Sequence, residues 1–595
     1  MFKILLALTL NLMAEPETKW FSGRVIDEMD ENQAYQIYEG VRPFSQVTCK
    51  YVASLETEGW DKLEIYINQT SYAQKVMKMA GKLEGYIMQS RIDAYYNNVM
   101  DFLKKQSPEQ NIPDEVYDWI AGNLNYIKDL IQNEELANDP YVQHVEMLFC
   151  QFLGLLDGWN YNKDDEESRT QSDLWFLMCT GDLIDVIQKY IKHEGETPDE
   201  KADRILRQGR CSALIKLTEK RDELFLGHNT WYTYGALLRV RKTYHFVTPD
   251  QKLVNVSFSS YPGVLVSMDD FYVTSQGLGI TETTISAVDD KALDDITDQG
   301  LPSWMRVMIA NIMSTNGTDW INTVTKYPTG TYNDQYAIVD YNLFEPNKDK
   351  LQPKTVMLVE LYPLSFEQMD ITDIVNEKGY FPMFNVPFTD KVFEKLGYKE
   401  FVEKNPDAWF SLGHNCSRYN VFAKIQNTVT DAKSMEEVMR YNNYQNDEES
   451  KHPKFGADPA ASIASRYDLR DGKNLKKEAM GALDAKITTS EMIKELQFVS
   501  VAGPTRSHGL PPLDIEALEK EVPFLHEGVP TSMNWDWIHM SFPANKEAPG
   551  KEKKNYTVLI VCVVCSVTFV AAVVVSVLVI CMVMRRRRKN YSSIN

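Results

Sequence analysis

The sequence lacks the short motifs that mark the commonest nucleotide, metal and serine enzymes. It contains no P-loop, no Rossmann glycine pattern and no H-E-x-x-H motif, so nothing in it indicates a cofactor or a metal. It also lacks a G-x-S-x-G elbow, which disfavours a serine lipase mechanism. Basic residues are outnumbered, with 63 Lys and Arg against 84 Asp and Glu. Because phosphate binding needs a basic surface, this balance argues against a nucleic-acid partner.

Cysteine is scarce as well, with 8 in 595 residues. Three of them lie in one apolar stretch near the C-terminus, and the others are Cys49, Cys150, Cys179, Cys211 and Cys416. An odd number leaves at least one thiol unpaired in an oxidising compartment. No C-x-x-C pair occurs outside the apolar stretch, which disfavours a zinc site of that type. The hydrophobic share of 44% and the charged share of 25% are ordinary globular values and exclude wholesale disorder.

The two ends of the chain predict a single-pass membrane protein. Residues 1–14 are typical of a short secretory signal peptide, with an N-terminal core strand as the alternative. Residues 557–584 contain no charged residue and exceed the about 20 positions that span a bilayer. A basic cluster opens the short tail 585–595, which should remain cytoplasmic. We expect a type I membrane protein whose functional part lies in a lysosome-like lumen or at the cell surface.

Glycosylation sequons agree with that topology. Asn68, Asn255, Asn316 and Asn415 each begin an N-x-Ser/Thr motif and are predicted acceptors. A fifth motif at Asn555 lies too close to the predicted span for modification to be expected.

The hydrophobic pattern changes along the chain and predicts an α+β fold with layered sheets. No internal repeat is present. The predicted order is strands over 15–70, helices over 72–192, an exposed linker over 193–204, strands over 211–425, and helix or loop over 434–500.

Cys211 and His228 form the strongest chemical signal. Cys211 begins a predicted strand directly after the charged stretch, and His228 lies in the polar strand pair that follows. A thiol beside a base can act as a nucleophile. From the residues alone, a buried structural cysteine and a core histidine bonded to a strand carbonyl are the more usual explanation.

Ten ordered segments favour the chemical explanation, because together they resemble the phospholipase B-like (lamina ancestor) family of N-terminal-nucleophile (Ntn) hydrolases. They cover most of residues 200–510, and the helical region 72–88 is also similar to that family. In chain order the ten segments are Cys211-Ser-Ala-Leu-Ile-Lys, His228-Asn-Thr-Trp, Ser259-Ser-Tyr-Pro-Gly, Asp269-Asp-Phe-Tyr, Glu282-Thr-Thr-Ile, Gly330-Thr-Tyr-Asn-Asp-Gln, Val339-Asp-Tyr, Asn385-Val-Pro, Met439-Arg-Tyr-Asn and Ala502-Gly-Pro-Thr.

The resemblance implies a four-layer αββα sandwich and self-cleavage between Arg210 and Cys211. The N-terminal chain, 15–210, would remain associated with the catalytic chain, 211–530, and a stalk, 531–556, would lead to the membrane. The freed α-amine of Cys211 would act as base for its own thiol, since the reference pKa of an α-amine is near about 8.

The resemblance also implies roles for other site residues. His228 would orient or protonate groups near the thiol, and Asn229 and Trp231 would shape the pocket. Thr284 matches an active-site threonine of the family. Without the resemblance, Thr284 would be interpreted as an ordinary strand residue. Asn385 is the candidate oxyanion donor, with a plain turn asparagine as the alternative.

Arg418 aligns with the arginine of a Ser-Pro-Arg motif, in which Ser417 replaces the proline. It would bind a substrate carboxylate or phosphate, or hold the site's carboxylates, and a solvated surface arginine is the alternative. Cys150 and Cys179 are a candidate disulfide pair, and that pairing would leave Cys211 free.

The predicted function is therefore a phospholipase B-like hydrolase that releases fatty acids from glycerophospholipids. Two alternatives remain open: an amidase acting on N-acyl substrates, and a non-catalytic membrane-anchored protein that keeps the scaffold for adhesion or ligand binding. The second is disfavoured because Cys211, His228, Thr284 and Asn385 are all present.

Overall fold

Helices and two large β-sheets make up the fold, in agreement with the predicted α+β class. The computed structural model describes residues 17–26, 34–68, 73–191, 193, 195–209, 211–473 and 475–540. The predicted signal peptide, the predicted membrane span and Arg210 lie outside these ranges. No helix within them combines the length and the hydrophobicity that a membrane crossing requires.

The strands and α-helices are numbered here in chain order. The strands are β1 Thr18–Val25, β2 Tyr35–Glu39, β3 Val47–Val52, β4 Asp61–Ile67, β5 Cys211–Leu217, β6 Leu224–Thr233, β7 Val240–Val247, β8 Leu253–Ser260, β9 Phe271–Thr274, β10 Leu278–Thr284, β11 Asp334–Asp340, β12 Val356–Tyr362, β13 Ser365–Asp370, β14 Tyr380–Met383, β15 Lys451–His452, β16 Gly456–Ala457, β17 Met480–Ala482, β18 Asp484–Thr488, β19 Val499–Ala502 and β20 Ile538–His539. The helices are α1 Leu55–Glu58, α2 Gln74–Ile87, α3 Gln89–Lys104, α4 Asp114–Gln132, α5 Pro140–Trp159, α6 Gln171–Met178, α7 Thr180–Tyr190, α8 Pro198–Gln208, α9 Ser303–Met313, α10 Gly317–Val324, α11 Thr372–Lys378, α12 Asp390–Lys395, α13 Tyr398–Lys404, α14 Trp409–Leu412, α15 Ser417–Ile425, α16 Ala432–Met439 and α17 Ile515–Glu521.

The larger sheet joins strands from both sides of residue 210. Among the described residues its order is β13-β12-β11-β10-β9-β8-β7-β4-β3-β1-β2. Its strands pair antiparallel except at β4 and β7, which run parallel with Asp61 opposite Val240. The strands that precede Cys211 therefore continue the sheet that the later strands begin.

The smaller sheet carries Cys211 at the start of β5. Its order is β14-β5-β6-β18-β19-β20, and β17 also pairs with β6. All seven residues of β5 are buried, because other elements cover both faces of this sheet. Strands covered on both faces are apolar on both sides, so the polar residues of the site stand out among them.

Close contacts at glycines show how the layers stack. A Cβ at Gly279 of β10 would lie 3.0 Å from Leu226 of β6, so the two sheets face each other there. Gly227 points the other way, where Met435 and Met439 of α16 leave no room for a Cβ. On the larger sheet, α10 packs its tryptophan, Trp320, on Tyr336 of β11 with ring centroids 5.1 Å apart.

Two helices of the N-terminal region cross at four glycines. A Cβ at Gly81 of α2 would lie 1.9 Å from the carbonyl oxygen of Gln151, and one at Gly154 of α5 would lie 1.8 Å from that of Lys78. A Cβ at Gly85 or at Gly158 would lie 2.2 Å from a carbonyl oxygen of the facing helix. The helix backbones can therefore touch only because these side chains are absent.

A buried ion pair fixes α2 to the larger sheet. The Glu84 carboxylate accepts hydrogen bonds from Lys242 Nζ and from the Tyr244 hydroxyl, both at 2.6 Å. Both partners belong to β7, so α2 is bound to a strand that follows Cys211 in the chain. Removing one partner of such a buried ion pair lowers the stability of a protein by about 3–5 kcal/mol.

Three predictions of chain organisation were wrong. Residues 193–204 are not an exposed linker, because Pro198–Gln208 is a helix with a Thr197–Glu200 capping box, and Arg204 is buried. Strands were predicted over 211–425, but this region also holds the helices Ser303–Met313, Gly317–Val324 and Thr372–Lys378 and is helical from Asp390 onward. Strands β17–β19 lie where helix or loop was predicted. The first part of the predicted stalk packs on the domain, since Ile538–His539 pairs with β19.

Candidate functional site

Cys211 is buried at the start of β5, with 1% of its surface exposed. Its thiol donates a hydrogen bond to Oε1 of Glu282 at 3.2 Å, and its backbone N–H donates to Oδ1 of Asn385 at 3.5 Å. Burial, followed by the charge of Glu282, raises the pKa of the thiol well above its ordinary value. The thiol therefore keeps its proton until a base removes it, and Glu282 is the base in contact with it.

Arg418, the second residue of α15, holds the backbone at the site. Its guanidinium lies over Trp231, with its central carbon 4.4 Å from the ring centroid. Nη1 donates to the carbonyl oxygen of Cys211 at 2.7 Å and to Oδ1 of Asn385 at 2.8 Å, and Nη2 donates to the carbonyl of Phe384. The predicted arginine therefore lies inside the site and not on the surface. There it orients Cys211 and Asn385.

Asn385 has a left-handed backbone, with φ of 65°, which asparagine tolerates better than most residues. Its Nδ2 donates to the carbonyl oxygen of Thr284 at 2.9 Å, while its Oδ1 faces Cys211. A Cβ at Gly209 would lie 2.7 Å from the Cβ of Asn385, so glycine is needed where the chain approaches the site. These contacts fix the amide between Cys211 and β10.

Glu282 and Thr284 lie two residues apart at the end of β10. The Thr284 hydroxyl donates to Oε2 of Glu282 at 3.5 Å, so the carboxylate contacts Cys211 through one oxygen and Thr284 through the other. We did not predict a role for Glu282. The available signal was a single acidic residue in the otherwise uncharged strand LGITETT, because a buried carboxylate requires a partner.

His228 lies in β6 and is completely buried. The backbone of Glu282 is next to its ring, but neither ring nitrogen makes a hydrogen bond of normal length and angle within the described residues. One ring nitrogen, the thiol of Cys211 and the carboxylate of Glu282 lie within 4.8 Å of one another. Burial and then the charge of Lys486 lower the pKa of His228 well below its ordinary value, so the ring is neutral.

Two further buried carboxyls, Asp270 and Asp334, border the site. The Tyr336 hydroxyl lies 3.2 Å from Oδ2 of Asp270 and 3.0 Å from Oδ2 of Asp334. Burial and then the charge of Glu282 raise the pKa of both carboxyls well above the ordinary value. The surroundings of the thiol are therefore acidic and rich in exchangeable protons.

Asn229 and Trp231 support the site from the opposite face of β6. Asn229 donates to the carbonyls of Met439 and Ile463 at 2.9 and 3.0 Å, and its Oδ1 accepts from Nε1 of Trp231 at 2.8 Å. Trp231 in turn carries the guanidinium of Arg418. Both residues reach Cys211 through Arg418 and not by direct contact with the thiol.

The five cysteines of the described region are free thiols. The pairing of Cys150 with Cys179 is therefore not present, and the two residues have different neighbours. Cys150 lies beside Lys78 and Glu146, whereas Cys179 lies beside Asp182 and Trp304. Cys211 is free without any help from that disulfide.

The predicted glycosylation sites differ in accessibility. Asn68 and Asn415 are exposed, while Asn255 and Asn316 are half-buried. Asn255 shares a hydrogen bond with His245, and Asn316 caps α10, so a glycan on either would have to leave these contacts in place.

Comparison with known proteins gives one consistent family. The profile of the family described as Phospholipase B matches residues 47–540. The chain is 33% identical over 502 residues to Phospholipase B-like 1 of Bos taurus, covering 82% of this chain and 87% of the relative. It is 31% identical to Phospholipase B-like protein D of Dictyostelium discoideum, with 86% and 90% covered. It is also 31% identical to Phospholipase-B 81 of Drysdalia coronoides, with 82% and 87% covered.

Proposed function

The chain belongs to the phospholipase B family, and on that premise we propose that it is an acyl hydrolase that releases fatty acids from glycerophospholipids. The observation that carries the proposal is the surroundings of Cys211. One carboxylate accepts from its thiol, one amide accepts from its backbone N–H, and one guanidinium donates to its carbonyl oxygen. The facing sheets with helices behind them support the four-layer Ntn sandwich as the scaffold.

The first proposed step is self-cleavage between Arg210 and Cys211. Glu282 takes the thiol proton, and the thiolate adds to the Arg210 carbonyl carbon. The C–N bond then breaks as the nitrogen of Cys211 takes a proton, which leaves a thioester. Water hydrolyses the thioester to the Arg210 carboxylate and a free Cys211 thiol. A base other than an α-amine is required here because the amine does not yet exist, and Glu282 meets that need.

The second proposed step is turnover by the freed N-terminus. An α-amine has a reference pKa near about 8 and can accept the thiol proton near neutral pH. The thiolate adds to the ester carbonyl carbon, the C–O bond breaks, and the ammonium returns the proton to the departing alcohol oxygen. Water hydrolyses the acyl thioester, which releases the fatty acid and restores the thiol. Oδ1 of Asn385 is placed to orient the amine.

Neutral His228 is the proposed donor to the developing oxyanion, together with Asn385. Its ring carries one N–H, and the contact of the ring with the backbone of Glu282 falls short of regular hydrogen-bond geometry, so this donor can turn to another acceptor. The amide of Asn385 would first have to leave the carbonyl of Thr284. One such donor is typically worth about 3–4 kcal/mol of barrier.

An apolar cavity beside Asn385 supports an acyl substrate. Its volume is about 240 Å³, and Phe384 and Val386, the sequence neighbours of Asn385, belong to its lining. Five aromatic side chains line it, together with the polar side chains of Gln335, Lys378, His414 and Asn415; the aromatic residues are Tyr380, Phe381, Phe384, Phe388 and Tyr419. A hydrocarbon chain fits such a lining because burying each CH₂ gains about 0.8 kcal/mol.

We further propose that the enzyme is tethered by residues 557–584, with its catalytic part in a lumen or outside the cell and its two fragments held together. The exposed sequons at Asn68 and Asn415 support that location. Glycosidase digestion of the protein from a eukaryotic host should increase its mobility. An unchanged mobility would argue against a lumenal location.

The maturation test is the fragment pattern of the purified, reduced protein. N-terminal sequencing of the larger C-terminal piece should begin at Cys211. Cys211→Ala should remain whole, and Cys150→Ala, which removes a thiol elsewhere, should be cut normally. A wild-type chain that stays whole at acidic and neutral pH, or is cut elsewhere, overturns the free-amine mechanism.

The substrate test uses matched ester and amide analogues of one phospholipid. Fatty acid should be released from the ester by the cut wild-type enzyme and not by Cys211→Ala. Release from the amide alone would replace the phospholipase proposal with the N-acyl amidase. Release from neither by a properly cut enzyme would overturn both hydrolase proposals.

A further inference from the structure

Cys211, His228 and Glu282 bring together three different metal-ligand atoms. The thiol sulfur, a ring nitrogen and a carboxylate oxygen all lie within 4.8 Å of one another, and the sulfur and Oε1 are 3.2 Å apart. Thiolate, imidazole and carboxylate are the ligand types that Zn²⁺ takes in proteins, at about 2.0–2.3 Å. Donors of a tetrahedral site are then about 3.5 Å apart, so a contraction of about 1 Å would close this one.

His228 gives independent support for a ligand at this point. It is completely buried, and neither ring nitrogen has a regular hydrogen-bond partner among the described residues. Buried polar groups without partners are rare, and each one needs a physical explanation. A neutral imidazole is also the form that binds metals. A cation between the three donors would satisfy the nitrogen that faces it.

Two further buried oxygen-bearing side chains lie beside the cluster. Asp270 and Asp334 border the cluster, and Oδ1 of Asp334 has no hydrogen-bond partner within the described region. The nearby Lys486 ammonium is already bound to Asp484 at 2.8 Å. The carboxyls of Asp270 and Asp334 are both neutral because their pKa values are raised, so they add oxygen atoms and no net charge to the surroundings of the cluster.

We propose that Cys211, His228 and Glu282 form a Zn²⁺ site with three protein ligands and one open position, in which the metal holds the nucleophile in a resting form. Binding forms a Zn–S bond and releases the thiol proton to solvent. The inhibitory consequence rests on the proposed function, whereas the binding itself does not. This site differs from the sequence-based expectation of no metal.

Cleavage before Cys211 would strengthen the site. An N-terminal cysteine presents its amine and its thiol to the same ion, so the freed nitrogen can take the open position. The cut chain should therefore bind Zn²⁺ more tightly than the uncut chain, by at least the about 10–100-fold that an outer-shell partner contributes. The metal would then compete directly with the acyl substrate.

The test is titration of the chelator-treated, reduced full-length protein with Co²⁺ as a spectroscopic probe, followed by displacement with Zn²⁺. One equivalent should bind and give a thiolate-to-cobalt charge-transfer band. Cys211→Ser and His228→Gln should lose the band, while Cys150→Ser, which removes a half-exposed thiol elsewhere, should keep it. No band in the wild type, or a band that persists in Cys211→Ser, overturns the proposal.

Alkylation provides a second measurement that needs no variant. Saturating Zn²⁺ should slow modification of Cys211, because the Zn–S bond occupies the sulfur electron pair that alkylation needs, and should leave Cys150 unaffected. Both rates are read from the peptides by mass spectrometry. Equal rates with and without Zn²⁺ overturn the proposal even if the variants fail to fold.

N-terminal sequencing of the same samples separates this proposal from the hydrolase proposal. A chain that is cut at Cys211 and hydrolyses esters but gives no Co²⁺ band overturns only the metal site. An uncut chain that binds one Co²⁺ through Cys211 supports the metal site, and in that case the Ntn mechanism is the part that fails.

Discussion

Arg418 donates a hydrogen bond to the carbonyl oxygen of Cys211 at 2.7 Å, across 207 residues of sequence. The same nitrogen also donates to the side chain of Asn385, and the guanidinium rests on Trp231. The start of β5 is thus held by a charged group that is itself held by a strand of the same sheet. These contacts explain why a buried arginine is tolerated beside Cys211, even though burial lowers the pKa of Arg418.

Arg418→Lys should impair the enzyme while leaving the charge in place. A lysine cannot reach the Cys211 carbonyl and Phe384 together, and a hydrogen bond to a charged group is worth about 1.5–3 kcal/mol. We expect kcat to fall by about 10–100-fold, as measured by fatty-acid release. Arg42→Lys, an exposed change, should have no effect, and a full-rate Arg418→Lys enzyme would contradict this account.

Glu282→Gln should slow self-cleavage. Glutamine keeps the size of the side chain but cannot take the thiol proton, and general base catalysis is worth about 10²–10⁴ in rate. The uncut precursor should accumulate in a time course on denaturing gels. Glu64→Gln, in the same sheet and paired with His245, should cut normally. Normal cutting of Glu282→Gln would remove Glu282 from the mechanism.

The buried carboxyl of Asp334 should make stability depend on pH in a defined direction. Its folded pKa is raised above the unfolded value near 3.8, so the folded state binds more protons just above that pH. Below about pH 3.8 this carboxyl is protonated in both states and does not lower the free energy of unfolding. As the pH rises toward the folded pKa, it lowers the free energy of unfolding progressively.

Asp334→Asn removes that cost. The difference in unfolding free energy between Asp334→Asn and the wild type should rise with pH by up to about 1.4 kcal/mol per unit above pH 4. Chemical denaturation at several pH values measures it. Asp118→Asn, an exposed change, should give a flat difference. A flat line for Asp334→Asn would show that its carboxyl titrates normally.

Gly81→Ala should destabilise the protein, although helix propensity alone predicts a gain of about 1 kcal/mol. The new Cβ would lie 1.9 Å from the carbonyl oxygen of Gln151, so α2 and α5 must separate. Overpacking of this kind costs about 1–3 kcal/mol or more. A melting temperature above that of the wild type would show that the helix crossing adjusts freely.

Cleaved protein should elute as one species in native buffer. The fragments share the β4–β7 pair and the buried contact of Glu84 with Lys242. Size-exclusion chromatography of the cut wild type should give one peak that contains both fragments, and denaturant should be needed to separate them. Two peaks in native buffer would mean that these contacts do not hold the halves together.

The sequence allowed the α+β class of the fold to be predicted, and it allowed five candidate site residues to be named. Cys211, His228, Thr284, Asn385 and Arg418 were named through resemblance, and the structure brings them into one cluster with Glu282. Glu282 was missed because its importance depends on a contact between two sheets, across 71 residues, which no local pattern encodes.

The errors in chain organisation have a similar origin. The helix Pro198–Gln208 was taken as a linker because its many charges hide a narrow apolar stripe of Ala202, Ile205 and Leu206. Strands β17–β19 are short, and their identity depends on pairing with β6 and with each other. Tertiary contacts thus override weak local preferences in both segments.

The parallel pairing of β4 with β7 has a consequence for refolding after the chain is cut. An uncut chain closes this pair within itself, so its assembly is a first-order event that does not depend on protein concentration. Once the backbone is cut between these strands, the same contact joins two molecules, and separation would expose an unpaired strand on each. Reassembly would then be a second-order reaction between the two fragments. Each fragment would expose an unpaired strand edge, so aggregation would compete with reassembly. We therefore expect the active form to be reached once, from the intact precursor, and to be lost permanently when it unfolds.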